Sequence, residues 1–184
     1  HCCDSSGQDY VHGIQNRYVY CRDNWTPTSE KNHGPPAWCV SNPCNPSNGN
    51  KYHVESDIAG RSKIPGYTRH YNSLRNSSPD KDIGLGFGWV SSLHRRLVPL
   101  SGSLIQVLQA DGRGEPFTCT SGTCTGDTDT KLTLIQDASG YTLTTKDNTT
   151  ERYDLNGQIV SEKDASGETT SYTYDANGLL YTVT

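Results

Sequence analysis

Large apolar side chains are scarce in this chain. Phenylalanine occurs twice, methionine not at all, and Leu, Ile, Val and Phe together make 31 of the 184 residues. A thick aliphatic core is thereby excluded, and what core exists must be thin and rich in Tyr and Thr, which suit a pleated surface. No stretch approaches ~18 consecutive apolar residues, so no helical membrane span is expected. Basic runs are missing and the formal net charge is only -4, which argues against nucleic acid as a partner. A low apolar content also raises the question of disorder. The small net charge, the 11 tyrosines and the periodic spacing of the apolar residues all oppose it. Convincing helical periodicity is lacking too; only residues 90–98 come near it, and their spacing is poor.

Cysteine, by contrast, is plentiful, with seven copies. Disulfides persist in oxidising compartments, so the count predicts a secreted, extracellular or cell-surface chain. With no initiating Met and no signal-like segment, His1 reads as a mature or trimmed N-terminus. Cys119 and Cys124 flank a turn containing Gly122 and are expected to bridge. Cys39 with Cys44 is a plausible local pair. Adjacent Cys2 and Cys3 should join different partners, Cys21 among the candidates, and the odd count leaves one cysteine free or bonded to another chain. Residues 1–44 therefore read as an irregular cap or arm stapled by disulfides. Residues 45–184 read as a β domain, with its clearest repeats over 131–184.

The repeats carry most of the information. Tyr153-Asp154-Leu-Asn-Gly157 returns as Tyr174-Asp175-Ala-Asn-Gly178, a period of 21 residues that Asp164-Ala-Ser-Gly167 divides into steps of 10 and 11. Asp137-Ala-Ser-Gly140 is an earlier copy of the turn. Asp at the first turn position accepts a hydrogen bond from the backbone two residues on, and Gly three residues later takes positive φ without steric cost. That pair suits a type I turn followed by a Gly bulge. The flanks alternate: Leu132 with Leu134, Tyr141 with Leu143, Tyr153 with Leu155, Tyr172 with Tyr174, and Leu179 with Tyr181 and Val183. Upstream, 51–55, 67–71, 93–100 and 104–108 read as strands, Tyr18-Val-Tyr20 as a short one, and Ala110-Asp-Gly112 as a further hairpin closure. The fold class predicted is all-β: an open ribbon of β-hairpins whose units cannot bury their apolar face alone.

These motifs resemble those of the RHS/YD-repeat proteins. The signature Tyr-Asp-x-x-Gly-x-Leu stands here as Tyr153-Asp-Leu-Asn-Gly-Gln-Ile159 and Tyr174-Asp-Ala-Asn-Gly-Leu-Leu180. Asn42-Pro-Cys-Asn-Pro, Thr68-Arg-His-Tyr-Asn-Ser73, Gly84-Leu-Gly-Phe-Gly-Trp89 and Arg95-Arg-Leu97 are similar to the segment that precedes the repeats in bacterial members. The resemblance spans roughly residues 42–184. It implies a hairpin ribbon that wraps toward a shell, with catalytic activities usually housed in a separate C-terminal domain.

The expected function follows from the last strand. Leu179, Tyr181 and Val183 lie on a strand with a bare edge, and unpaired N–H and C=O groups invite another strand. The chain is thus expected to be a non-enzymatic structural protein. Its partner is either a second copy, giving a filament, or the remainder of an RHS-type shell; no cofactor or metal is implied. A second reading is a carbohydrate-binding or adhesin module using Trp25, Trp38, Tyr67, Tyr71 and Trp89. A third is a copper enzyme built on His1 with one of His12, His33, His53, His70 or His94. His53, Glu55 and Asp57, two apart on a strand, share a face that suits acid–base work or plain solvation.

Overall fold

A computed structural model describes residues 30–35, 45, 48–61, 65–77, 83–100 and 102–184, together with the backbone of 12–14 and 17–19. Cys2, Cys3, Cys21, Cys39, Cys44, Trp25, Trp38 and His1 lie outside the described residues. The architecture is all-β and antiparallel, with no α-helix among the described residues. Strands β1 (His12–Ile14) and β2 (Arg17–Val19) form a hairpin. Strands β3 (Tyr52–Ile58), β4 (Tyr67–Asn72) and β5 (Trp89–Ser91) form a three-stranded sheet. The remaining ten form one meander in which each strand pairs with its neighbour in sequence. They are β6 (Arg96–Pro99), β7 (Leu104–Leu108), β8 (Gly114–Thr120), β9 (Thr123–Gly126), β10 (Thr133–Asp137), β11 (Gly140–Thr144), β12 (Thr150–Tyr153), β13 (Ile159–Lys163), β14 (Thr169–Tyr174) and β15 (Leu180–Val183).

A flat meander with so few aliphatics would leave its apolar face wet, and this one avoids that by curling. Arg96 in β6 forms an isolated antiparallel bridge with Gln158, and the Leu97 amide donates to the Gly157 carbonyl at 2.8 Å. The turn after β12 is thereby laid against the first strand of the same sheet. The inward faces then meet around Leu97, Val107, Phe117, Leu134, Tyr153 and Ile159, all at most 2 % exposed. The sheet nevertheless stays open, since β6 and β15 do not pair with each other. Strand β7 is covered on both sides. Ile105 and Val107 face the core, while Gln106 and Leu108 lie buried on the other side.

The turns show why Asp and Gly recur. At Asp154 the amide donates to the Gln158 carbonyl at 2.9 Å and the Gly157 amide to the Asp154 carbonyl at 3.1 Å. The same pair of bonds closes the turns at Asp164 and Gly167 and at Asp175 and Gly178. In each, the Asp Oδ1 accepts from the amides two and four residues on, at 2.8–2.9 Å. Gly157, Gly167 and Gly178 sit at φ of 80°, 92° and 77°, the left-handed region that glycine enters without a Cβ clash. The Asp137 turn departs from the expected form. It is one residue tighter, with Asp137 directly opposite Gly140. A further turn of the same geometry runs from Thr145 to Thr149 with Asn148 at φ 58°. With Thr145 in place of the leading Asp and Asn148 in place of Gly, it is hidden from a sequence search.

The signature also acquires a physical reading. Arg152 faces Ser161 while Tyr153 faces Ile159, so Val160 is an extra residue. The same bulge recurs 21 residues later, where Thr173 faces Thr182 and Tyr174 faces Leu180 with Tyr181 in excess. A bulge reverses which face the following side chains take. The seventh residue of each signature, Ile159 or Leu180, is therefore turned inward opposite its Tyr. This corrects the strict alternation expected of Leu179, Tyr181 and Val183. Leu180 and Val183 pack on the core, whereas Leu179 and Tyr181 are 64 % and 77 % exposed. Leu155, expected beside Tyr153, stands exposed in the turn for the related reason that the strand has already ended. The strand expected over 93–100 begins at Arg96, because His94 closes a turn on the Ser91 carbonyl.

Cys119 and Cys124 face each other across the β8–β9 hairpin and form a disulfide. The loop it closes is short, with a sequence separation of 5. Short loops restrict the unfolded chain modestly, so Cys119→Ser with Cys124→Ser is expected to cost about 2 kcal/mol. Urea denaturation of the double variant against the parent, with unchanged slope, would check this.

Candidate functional site

Three places gather groups with chemical potential. The first is the outer edge of β15. Ser171 and Thr184 exchange both backbone hydrogen bonds, at 2.7 and 3.0 Å. Antiparallel alternation then points the N–H and C=O of Val183 away from β14. Among the described residues β15 pairs with β14 alone. Between the start of β15 and residues 93–96 lies a cavity of about 230 Å³ whose apolar lining comes from Ile83, Leu93, Leu179 and Leu180. The neighbouring turns also stack, since the Gln158 side-chain amide donates to the Gly178 carbonyl at 3.0 Å.

The second place is an ionic cluster inside the curl. Glu151 on β12 and Glu162 on β13 are direct cross-strand partners. Arg95, from the loop before β6, donates to both, reaching Glu162 Oε2 at 2.5 Å and the Tyr172 hydroxyl at 2.9 Å. The Tyr153 hydroxyl donates to the second oxygen of Glu151. Burial works against charge on Glu162, but the Arg95 guanidinium overrides it and holds that carboxyl below its ordinary range. Burial pushes the Tyr172 hydroxyl up to about 12. Nothing in the local sequence marks these residues as a set, because Arg95 lies 56 and 67 positions from its two partners.

The third place is the exposed side of the three-stranded sheet. His53 hydrogen-bonds with Glu55 at 2.7 Å, and Asp57 takes a two-pronged contact from Arg69 at 2.6 and 2.9 Å. The expected common face exists, but Asp57 is committed to Arg69, not to His53. Arg69 also lies over the Trp89 ring, 5.1 Å from its centroid, and Tyr71 packs against that ring at 5.4 Å. Of the sugar-stacking candidates, Tyr67, Tyr71 and Trp89 are thus assembled here. Of the histidines, His70 pairs with the Tyr52 hydroxyl, His94 with the Ser91 hydroxyl, and His33 with the Gly112 carbonyl. No group of three metal-ligating side chains is found among the described residues.

A buried polar bed joins residues 30–35 to both large sheets. Glu30 accepts from Gln106 at 2.9 Å and lies 3.5 Å from Arg75. The Gly34 amide donates to Asn72, which also receives Asn50 and donates to the Asp111 carbonyl, each at 2.8 Å. Lys31 donates to Asp127 at 2.8 Å and to Asp129, so the acidic loop 126–129 is an anchor for this segment.

Geometry alone places the molecule among open antiparallel ribbons built of repeated hairpins. Comparison with family models makes this specific. Residues 153–184 match the RHS repeat, and residues 41–117 match a domain of unknown function, DUF6531. A search of curated proteins returned no match to the chain. The two matches are consistent with a segment of an RHS/YD-repeat protein, and that family points to an extracellular structural or toxin-related role. Proteins with these repeats are generally extracellular or at the cell surface.

Proposed function

We propose that this chain is a non-enzymatic structural element of an extracellular RHS-type wall, extended by addition of a β-strand at β15. The observation that carries the reading is the outward-facing backbone of Val183, on a strand whose first residue, Leu180, lines a partly apolar cavity. An edge of this kind supplies hydrogen bonds to an incoming strand, while the cavity accepts a side chain from it. The curl of the sheet favours a shell over a straight filament, since each added hairpin would continue the bend. Cofactors and catalysis have no part in this reading.

Light scattering and electron microscopy over a range of concentrations test it. Curved or closed particles are expected, together with slowed amide exchange at 183 as they form. Tyr181→Lys should suppress both, because a charge on an edge strand disfavours pairing. Fibres instead of curved particles would select the filament arrangement. A monomer at every concentration, with the Val183 amide exchanging freely, would defeat the proposal.

A further inference from the structure

The meander starts at β6, inside the segment that matches the domain of unknown function, and ends in the RHS repeats. Two contacts tie start to end. One is the Leu97 amide on the Gly157 carbonyl, and the other is Arg95 on Glu151 and Glu162. Glu151 is 4 % exposed and directly opposite Glu162. Like charges facing each other across two strands repel, and burial magnifies the repulsion. Hairpin β12–β13 therefore carries an electrostatic fault that its own residues do not cure. The cation that cures it comes from outside the repeats.

We propose that residues 93–97 are the template on which the repeat ribbon first bends, and that Arg95 locks the bend by neutralising the Glu151–Glu162 pair. This assigns a job to the segment preceding the repeats: it supplies both the first edge and the counter-charge. The inference is independent of what adds to β15. The other groups facing the carboxylates are the hydroxyls of Tyr153 and Tyr172 and, beyond the end of β13, Asp164. None of these brings a positive charge. Both tyrosine hydroxyls have their protons held by burial and the nearby carboxylates, so they serve as neutral hydrogen-bond donors.

The test is the full chain carrying Arg95→Met. Removing one partner from a buried ion cluster is strongly destabilising, so Tm at pH 7 should fall by about 10 °C. Amide protection across 153–184 should fall with it. Without Arg95 the facing carboxylates are relieved by taking up protons, so acidification from pH 7 to 5 should lower the variant's Tm by less than it lowers the parent's. Adding Glu151→Gln and Glu162→Gln to Arg95→Met should restore most of the loss. Should Arg95→Met not fold, this triple variant decides the matter: its folding supports the lock, and its failure to fold overturns it. An Arg95→Met Tm within 2–3 °C of the parent, or an equal loss with and without the two glutamines, would also overturn it.

Discussion

Gly157→Ala is expected to lower the stability of this protein by about 4 kcal/mol, while the equivalent change at Gly167 costs about 1 kcal/mol. Both glycines close the same kind of turn with positive φ, so both substitutions incur the left-handed penalty. The difference lies in what a methyl group would meet. At Gly157 it would stand 2.1 Å from the Leu97 carbonyl oxygen, a backbone atom that the curl holds in place. At Gly167 the nearest atom is the end of the Lys163 side chain, 3.9 Å away. Gly140→Ala belongs with the costly change, since its methyl would fall 2.0 Å from the Tyr153 carbonyl oxygen. Denaturant unfolding of the three variants checks the ranking. Equal losses at Gly157 and Gly167 would mean that the turn after β12 does not rest on β6.

Acidification should unfold the docked segment before it titrates the exposed carboxylates. His33 is 4 % exposed, and burial, followed by the Arg75 charge, lowers its pKa to about 4. Its ordinary value is 6.5. Between those two values the unfolded chain binds the proton and the folded chain does not. Stability is therefore full above pH 6.5, falls as the pH drops toward 4, and levels off below that. The slope approaches about 1.4 kcal/mol per pH unit, for a total of about 3 kcal/mol. His70 and His94, also lowered by burial, add to the slope in the same direction. Asp137 and Asp164 act lower down. Arg152 holds the first below its ordinary range, and the turn hydrogen bonds led by Ser166 hold the second there. Their contribution is present above the ordinary carboxylate range and is lost as the pH falls beneath it. Urea titrations from pH 8 to 4 should show His33→Gln with a visibly flatter profile than the parent. An unchanged profile would mean that His33 is not buried neutral against Arg75.

Legibility in the sequence followed the range of the interaction. Asp154, Gly157, Asp164, Gly167, Asp175 and Gly178 were readable because a turn is decided by residues four apart, whose chemistry is written side by side. Asn148 escaped because it reaches the left-handed region by a different route from glycine. The alternation of Leu179, Tyr181 and Val183 looked secure, yet one extra residue at Tyr181 reversed the phase. Bulges leave no reliable mark in a hydrophobic pattern. The cluster of Arg95, Glu151 and Glu162, and the bed of Glu30, Arg75 and Gln106, were invisible for a plainer reason. Each is a charged or polar residue that would ordinarily be assigned to solvent, and each becomes interior only because distant parts of the chain converge. The 30–35 segment was expected to belong to an irregular cap or arm stapled by disulfides. It is instead wedged between the three-stranded sheet and β7, held by hydrogen bonds to Asn72, Gly112 and Gln106.

The surplus residues at Val160 and Tyr181 fall 21 positions apart, each on the strand that leaves a Tyr-Asp turn. A tape whose alternate courses are each one stitch longer than the last cannot be pressed flat. It must wind, and always with the same hand. The bend that brings Gly157 against Leu97 thus has a local source in the spacing of two ordinary side chains.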